Sequence, residues 1–588
     1  MRRRSVWAAL TAVATPTCLL TAQAARPDSA RQPPVSQQGR LAVTGCAGQR
    51  INDIVVITQP PYTERLPKRF EFLRRAARTL HSTTRDDIIR RYLLMKPGDA
   101  CNQIQRAESE RILRAQPFLV DARIRVYDDE AGGVRLEVET RDEFSTTVSP
   151  IISAKAPVLR ALRFAESNLA GSARLVGLQW RDGGAYNDVI GAQFTDYQFL
   201  GQRNELRMLG VRRERGQQLR IDVVHPYYTD LQRYAFLGSV DGTRDYASLL
   251  RPTSMGPAIN TTRQSAVLGA IARVGTVGRL KLAGFSVAQS RDRYDTARVM
   301  ITDKGFRPDT GSPFGATFKQ RNVLRVNALF GVRLLRFVPV EGFDALTGAQ
   351  DVRVGMQLSM VFGQTIGVGS ARDHDRFIAT GVYGGVGGEQ SFLGAQLAGE
   401  ARNDRGTRTW DNQIYSGRVA WYFRPAVHQL TFMSVEWSAG RNMQSPFQLS
   451  LADFNGGIRG HRGSWTPGGE RLVARVEQRL VIPSRLNVAD IGVAWFAEAG
   501  RLWADPSVPY STSTSTRGAV GMSLLAAVPP RSRRLWRLDV AVPVGGDPRK
   551  KFEVRISNED RTRTFWREPD DVLRARERTV PTSLFTWP

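Results

Sequence analysis

Arg471-Leu-Val-Ala-Arg-Val-Glu-Gln-Arg-Leu480 is the stretch on which the fold turns. Successive side chains of a strand point to opposite faces. Leu472, Ala474, Val476, Gln478 and Leu480 therefore share one face, and Arg471, Val473, Arg475, Glu477 and Arg479 share the other. An apolar face backed by a charged one suits a wall with lipid on one side and water on the other.

Segments of this kind recur from Glu143 to residue 558, separated by Gly, Asn and Asp turns. Arg174-Leu-Val-Gly-Leu-Gln-Trp180, Arg353-Val-Gly-Met-Gln-Leu-Ser-Met360 and His428-Gln-Leu-Thr-Phe-Met-Ser-Val-Glu-Trp437 are examples. Roughly 16 to 20 can be counted, each with the weak per-segment signal of a transmembrane barrel strand. They show no fixed repeat period, unlike a propeller or a solenoid. Trp536–Gly546 and Lys551–Ser557 read as a closing hairpin, with Phe552, Val554 and Ile556 toward lipid and Glu553 and Arg555 inward. Residues 559–588 form a C-terminal extension rich in Arg and Glu, which either extends from the barrel as a short periplasmic tail or enters its lumen.

Before Glu143 the pattern changes. Met1-Arg-Arg-Arg4, an apolar run from Val6 to Leu20 and Ala22-Gln-Ala24 have the form of a secretory signal over residues 1–24. Residues 25–50 are a flexible leader rich in Pro, Gln, Ser and Arg, with order expected from Ile51. Residues 51–142 mix a short apolar strand, two helices and the pair Ala122–Tyr127 and Val134–Val138, which makes an α+β module. Thr83-Thr-Arg-Asp86 offers caps for the first helix, and Ile104, Ala107 and Leu113 lie on one side of the second. No later segment is apolar for about 18 residues, so any membrane crossing is made by strands. Cys18 leaves with the signal. Export makes a disulfide between Cys46 and Cys101 permissible, though two cysteines do not establish one.

The net charge of +27 raises the question of nucleic acid. The arginines, however, are scattered through strand-like segments and are not gathered in one patch with aromatics, so no nucleic-acid partner is expected. Gly-x-Ser-x-Gly, the Walker phosphate loop and His-Glu-x-x-His are missing, and the five histidines are dispersed. No enzymatic activity, cofactor or metal is expected.

Tyr92-Leu-Leu-Met-Lys-Pro-Gly-Asp99, Glu108-Ser-Glu-Arg-Ile-Leu113 and Phe118-Leu-Val-Asp-Ala-Arg-Ile-Arg-Val126 resemble the middle and closing segments of a POTRA domain over residues 51–142. Asn455-Gly-Gly-Ile-Arg-Gly-His-Arg-Gly463 resembles the tip of the inward-folded loop of the BamA/TamA-like outer-membrane assembly and transport superfamily. The core of that match is Gly457, Ile458, Arg459, Gly460 and His461, with His461 where the family carries an aromatic residue. Phe496-Ala-Glu-Ala-Gly500 is similar to the family's Phe-x-Asp-x-Gly element, with Glu498 for Asp. Asn168-Leu-Ala-Gly171 and His225-Pro-Tyr-Tyr228 resemble elements of its early strands, and read equally well as plain turns.

The resemblance implies a barrel of about 16 strands, possibly more, over residues 143–558, with the POTRA unit in the periplasm. It implies that Arg459 pairs in the lumen with Glu498, with Glu477 as a second carboxylate. It also implies an energy-independent role in inserting or translocating polypeptides at the bacterial outer membrane. The partners would be unfolded outer-membrane or secreted clients and the lipid bilayer, with accessory lipoproteins or periplasmic chaperones as further candidates. A dedicated pore of the two-partner type and a passive channel or structural surface barrel are the alternatives.

Overall fold

A computed structural model describes residues 44–61, 81–152, 159–250, 257–302, 304–309, 318–367, 373–453, 456–464, 466–483, 488–545, 551–560 and 566–585. The expected signal, the leader up to residue 43, Asn455 and the last three residues lie outside the described residues. From Val43 onward the chain is one compact unit.

Its N-terminal part is a four-stranded sheet under two helices. The strands are β1 (Ala47–Gln59), β2 (Ala100–Asn102), β3 (Leu119–Asp128) and β4 (Val134–Asp142), in the order β2-β1-β4-β3. β1 runs parallel to β4, and β3 and β4 form a hairpin. β1 starts at Ala47, ahead of the expected onset of order at Ile51, because Ala47 and Arg50 pair with β2. Between the strands lie α1 (Asp86–Tyr92) and α2 (Gln103–Arg114). Asn102 caps α2, its Oδ1 accepting from the N–H of Ile104 at 2.9 Å and of Gln105 at 3.3 Å. Alternate residues of β3 and β4 pack with Ile88, Ile89, Tyr92, Ile112 and Leu113 into one core.

Two local expectations differ. Ile104 is half exposed, since the buried face of α2 is set by Ser109, Arg111, Ile112 and Leu113. Thr84 does not cap α1. Its Oγ1 donates to Asp142 Oδ1 at 2.7 Å and accepts from Asn168 Nδ2 at 2.7 Å, tying the unit to the barrel instead.

The remaining strands, from β5 (Thr146–Ile152) to β25 (Glu553–Asp560), close into a barrel in which β25 neighbours β5. β14 (Gly305–Pro308) only folds back on the end of β13 (Arg279–Thr302), which pairs directly with β15 (Arg321–Glu341). Among the described residues twenty antiparallel strands thus make the wall, more than the 16 of the family that the sequence resembles. Alternation decides which side each residue faces. In β15, Val326, Phe330, Val332 and Leu334 are 37–48% exposed on the outside, while Arg325, Asn327, Leu329 and Arg333 are buried on the inside. Leu472 and Val476 behave in the same way opposite Arg471, Glu477 and Arg479. A continuous outer surface of large apolar side chains over a polar interior is what a bilayer requires of a barrel. Among the described residues no helix is long and apolar enough to cross a membrane.

The N-terminal unit sits against the end of the barrel where β15 meets β16 (Ala349–Thr365) and β23 (Arg517–Ala527) meets β24 (Arg534–Val544). Arg114 pairs with Asp351 at 2.8 Å, and Thr229 Oγ1 donates to Glu108 at 2.7 Å. Arg533 donates to the carbonyls of Arg114 at 2.6 Å and Leu119 at 3.1 Å. Tyr228 reaches into the core of the unit, 6.1 Å from the Tyr92 ring. The turns holding Asn168 and Tyr228 therefore do more than reverse the chain. Cys46 and Cys101 form a disulfide, with a Cα–Cα distance of 4.9 Å, at the edge of this unit.

Candidate functional site

The segment between β20 (Gln429–Arg441) and β21 (Glu470–Ile482) folds into the lumen. Leu449, Leu451 and Ile458 are fully buried there among Val473 and Leu502 of the wall. Burying these residues sets Arg459 against β22 (Asp490–Trp503). Gly460 adopts φ +78°, a backbone conformation that side chains with a Cβ rarely take, and this turns the chain straight after the arginine.

Arg459 meets Glu498 twice. Its backbone N–H donates to Oε2 at 2.7 Å and its Nε to Oε1 at 2.7 Å. Nη2 donates to Glu477 Oε2 at 3.3 Å, and Nη1 lies 3.5 Å from Asp539. The guanidinium stacks on Phe496, 3.4 Å from the ring centroid. Phe496, Glu498 and Gly500 thus each have a physical role, since the ring carries the cation, the carboxylate binds it, and the glycine makes room. A Cβ on Gly500 would lie 2.9 Å from Leu451 Cδ2 and 3.3 Å from Ile458 Cγ2, both in the folded-in segment. His461, where the family that the sequence resembles carries an aromatic residue, is buried. Its Nε2 donates to the Gly518 carbonyl at 2.8 Å, which fixes the proton on that nitrogen.

Sequence reasoning named three members of a larger cluster. Arg537 donates to both oxygens of Glu477, at 3.0 and 2.8 Å, and Arg479 Nε to Glu477 Oε1 at 2.6 Å. Arg475 bonds Glu436 and donates to the Gly457 carbonyl at 2.6 Å. Arg418 lies 3.6 Å from Glu436. These five arginines and four carboxylates lie on the inner faces of β19 (Trp410–Ala426), β20, β21, β22 and β24, apart from Arg459 on the folded-in segment. The missed members carried a signal, because the alternation in Trp536–Val544 that sends Leu538 and Val540 outward sends Arg537 and Asp539 inward. A cluster so paired and so buried makes the loop part of the wall. It offers no nucleophile with a base, and among the described residues no group of His, Cys, Asp or Glu could hold a metal.

Phe552, Val554 and Ile556 are exposed on the outer surface at 63%, 49% and 73%. On the inner side, Arg555 reaches Asp453 at 2.6 Å and Glu553 accepts from the Arg462 N–H at 3.3 Å. The folded-in segment is thus held on both sides of β24, by β22 and by the last strand.

No protein-family model and no curated protein matches the chain. Solved structures do. BamA from Haemophilus ducreyi lacking POTRA domains 1–3 aligns at 12% identity over 87% of this chain and 85% of that one, with TM-score 0.38. CdiB from Escherichia coli aligns at 11% identity over 87% and 75%, with TM-score 0.40. CdiB from Acinetobacter baumannii aligns at 10% over 87% and 74%, again at 0.40. The chain is similar to BamA and CdiB barrels.

Proposed function

We propose that this chain is a BamA-like outer-membrane barrel that assists the insertion or translocation of polypeptides without a chemical energy source, its N-terminal unit acting as a POTRA domain in the periplasm. The observation that carries this reading is the folded-in loop, held through Arg459 to Glu498 and Glu477 and through Asp453 to Arg555 on the final strand. A loop fixed to both sides of the closing hairpin keeps the wall rigid next to the seam where β25 meets β5. The seam is where a barrel of this kind would give way. Among the described residues β5 has 7 residues and β25 has 8, against 21 for β15, so the strands that meet at the seam are short. Unpaired edges there would template an extended client in lipid, where each unmet backbone group costs several kcal/mol. β3 is an edge strand of the N-terminal sheet, and an extended client joining it would replace the bonds that Glu110 makes to the Ile124 N–H, Arg106 to the Ile124 carbonyl and the Thr44 N–H to the Val126 carbonyl.

The test is reconstitution into liposomes with a urea-denatured barrel protein as client. Faster acquisition of heat-resistant, protease-protected client than in empty liposomes supports the reading. Client folding at the rate of empty liposomes, together with steady ion conductance, favours the passive channel.

A further inference from the structure

A barrel of 16 to 18 strands leaves an aqueous channel, and wider ones carry a plug. This twenty-stranded wall encloses more than its folded-in loop: it also encloses residues 566–585 of its own chain. β25 ends at Asp560, paired with Arg534 at the end facing the N-terminal unit. Trp566 then stands inside that end, 5.8 Å from the Tyr383 ring. The chain rises along the wall to α3 (Asp570–Ala575), where Val572 is fully buried among Ile414, Leu451 and Ile458. Here Asp571 accepts from Arg471 Nη1 at 2.6 Å and Nη2 at 3.1 Å. The chain then crosses to the opposite wall and turns back. Leu584 and Phe585 are buried among Ile271, Leu280 and Leu329, and the Phe585 carbonyl accepts from Gln357 Nε2 at 2.8 Å and from Arg333.

Charge matches charge along this path. The carboxylates of the segment meet cations of the wall or of the segment itself: Asp571 with Arg471, Glu577 with Arg402, and Glu568 with Arg576 while it also accepts from Ser416. Two of its arginines meet wall carboxylates, Arg578 on Asp241 and Arg576 3.6 Å from Glu400. The Arg325 and Arg402 guanidiniums stack on Phe377, 4.1 and 5.8 Å from its centroid. Without the segment, Arg325, Arg402 and Arg471 would lose the carboxylates they face and would stand as unneutralised cations on the wall of a water-filled lumen.

We infer that the lumen is a built peptide-binding track whose resident ligand is the chain's own residues 566–585, which close the pore until an extended polypeptide of similarly spaced charges displaces them. The spacing is specific. Carboxylates at 568, 571 and 577 and arginines at 576 and 578 each meet a partner, so a uniformly basic or apolar segment would leave wall charges unmet. Displacement by a polypeptide rests on the function proposed above, whereas the plug itself does not, since ion conductance reads it without any client.

The experiment is conductance in planar bilayers of three proteins: the natural chain, a chain ending at Asp560, and a full-length Glu568→Gln, Asp571→Asn, Glu577→Gln variant that keeps its length. Heat-modifiable migration first establishes that each is folded. Shortened and neutralised chains should both conduct at least about twofold more than the natural chain, as expected of a barrel this wide once unplugged. A synthetic peptide of residues 566–585 should close the shortened barrel, and the same peptide with the three carboxamides should bind about tenfold more weakly. Folded variants that conduct like the natural chain, or block of equal strength by both peptides, would overturn the proposal. If the shortened chain does not fold, the full-length variant decides alone by the same criterion.

Discussion

Arg459 and Glu498 are joined by two hydrogen bonds of 2.7 Å each, one from the backbone and one from the side chain of the arginine. A side-chain substitution at 459 therefore removes only half of the contact, whereas one at 498 removes both halves. Glu498→Ala should cost roughly 3–5 kcal/mol, the range for leaving one partner of a buried pair uncompensated. Arg459→Met should cost less, and the double variant less than the sum of the two. Melting followed by cold-gel mobility measures all three, and additive losses would refute the coupling.

Gly500 is a matter of space. A Cβ there would press on Leu451 and Ile458 of the folded-in loop. Gly500→Ala should lower stability by about 1–3 kcal/mol through overpacking and open the loop to protease. Unchanged protease resistance would show that the loop does not pack where the structure has it.

The disulfide between Cys46 and Cys101 spans 55 residues of the N-terminal unit. Its loss in Cys46→Ala/Cys101→Ala should weaken that unit by about 2–4 kcal/mol. Limited proteolysis should then cut the N-terminal unit first and leave the barrel's melting point in place.

At the junction of unit and barrel, burial pushes the Glu143 carboxyl above its ordinary range, against the opposing pull of Arg534, the Ser532 hydroxyl at 2.7 Å, the Phe144 N–H and Arg533. A carboxyl raised in the folded state holds its proton there at pH values where the unfolded chain has released it. Its contribution to stability therefore falls as pH rises from the ordinary carboxylate range through the raised value. Glu143→Gln should flatten this part of the profile. Comparing melts of variant and natural chain between about pH 5 and pH 8 tests it, and parallel curves would refute it.

Much of this architecture is legible in alternation. Arg471–Leu480 separates lipid-facing from lumen-facing residues because a strand has period two and its two sides meet opposite solvents. The same rule sorts Leu538 from Arg537. The pairing of Arg459 with a carboxylate on Phe496–Gly500 was suggested by motif resemblance, since alternation alone says which way Glu498 faces and nothing about what meets it. For the C-terminal extension the sequence leaves a periplasmic tail and a lumen segment equally open, and where it docks lies beyond reading. Asp571 and Arg471 are 100 residues apart, and neither periodicity nor a turn links them. Strand number was also elusive, since it depends on which turns truly end a strand: β13 runs 24 residues, and its β14 partner is only a short return.

The central claim, that this barrel handles polypeptides at the outer membrane, is tested most directly by quantitative proteomics of outer membrane and culture medium after depleting the protein in its native host. The account predicts a selective loss of polypeptides. A fall in many unrelated barrel proteins would mark general assembly, and the loss of one secreted protein would mark a dedicated exporter. A proteome unchanged in both fractions, with only small-solute permeability altered, would contradict it.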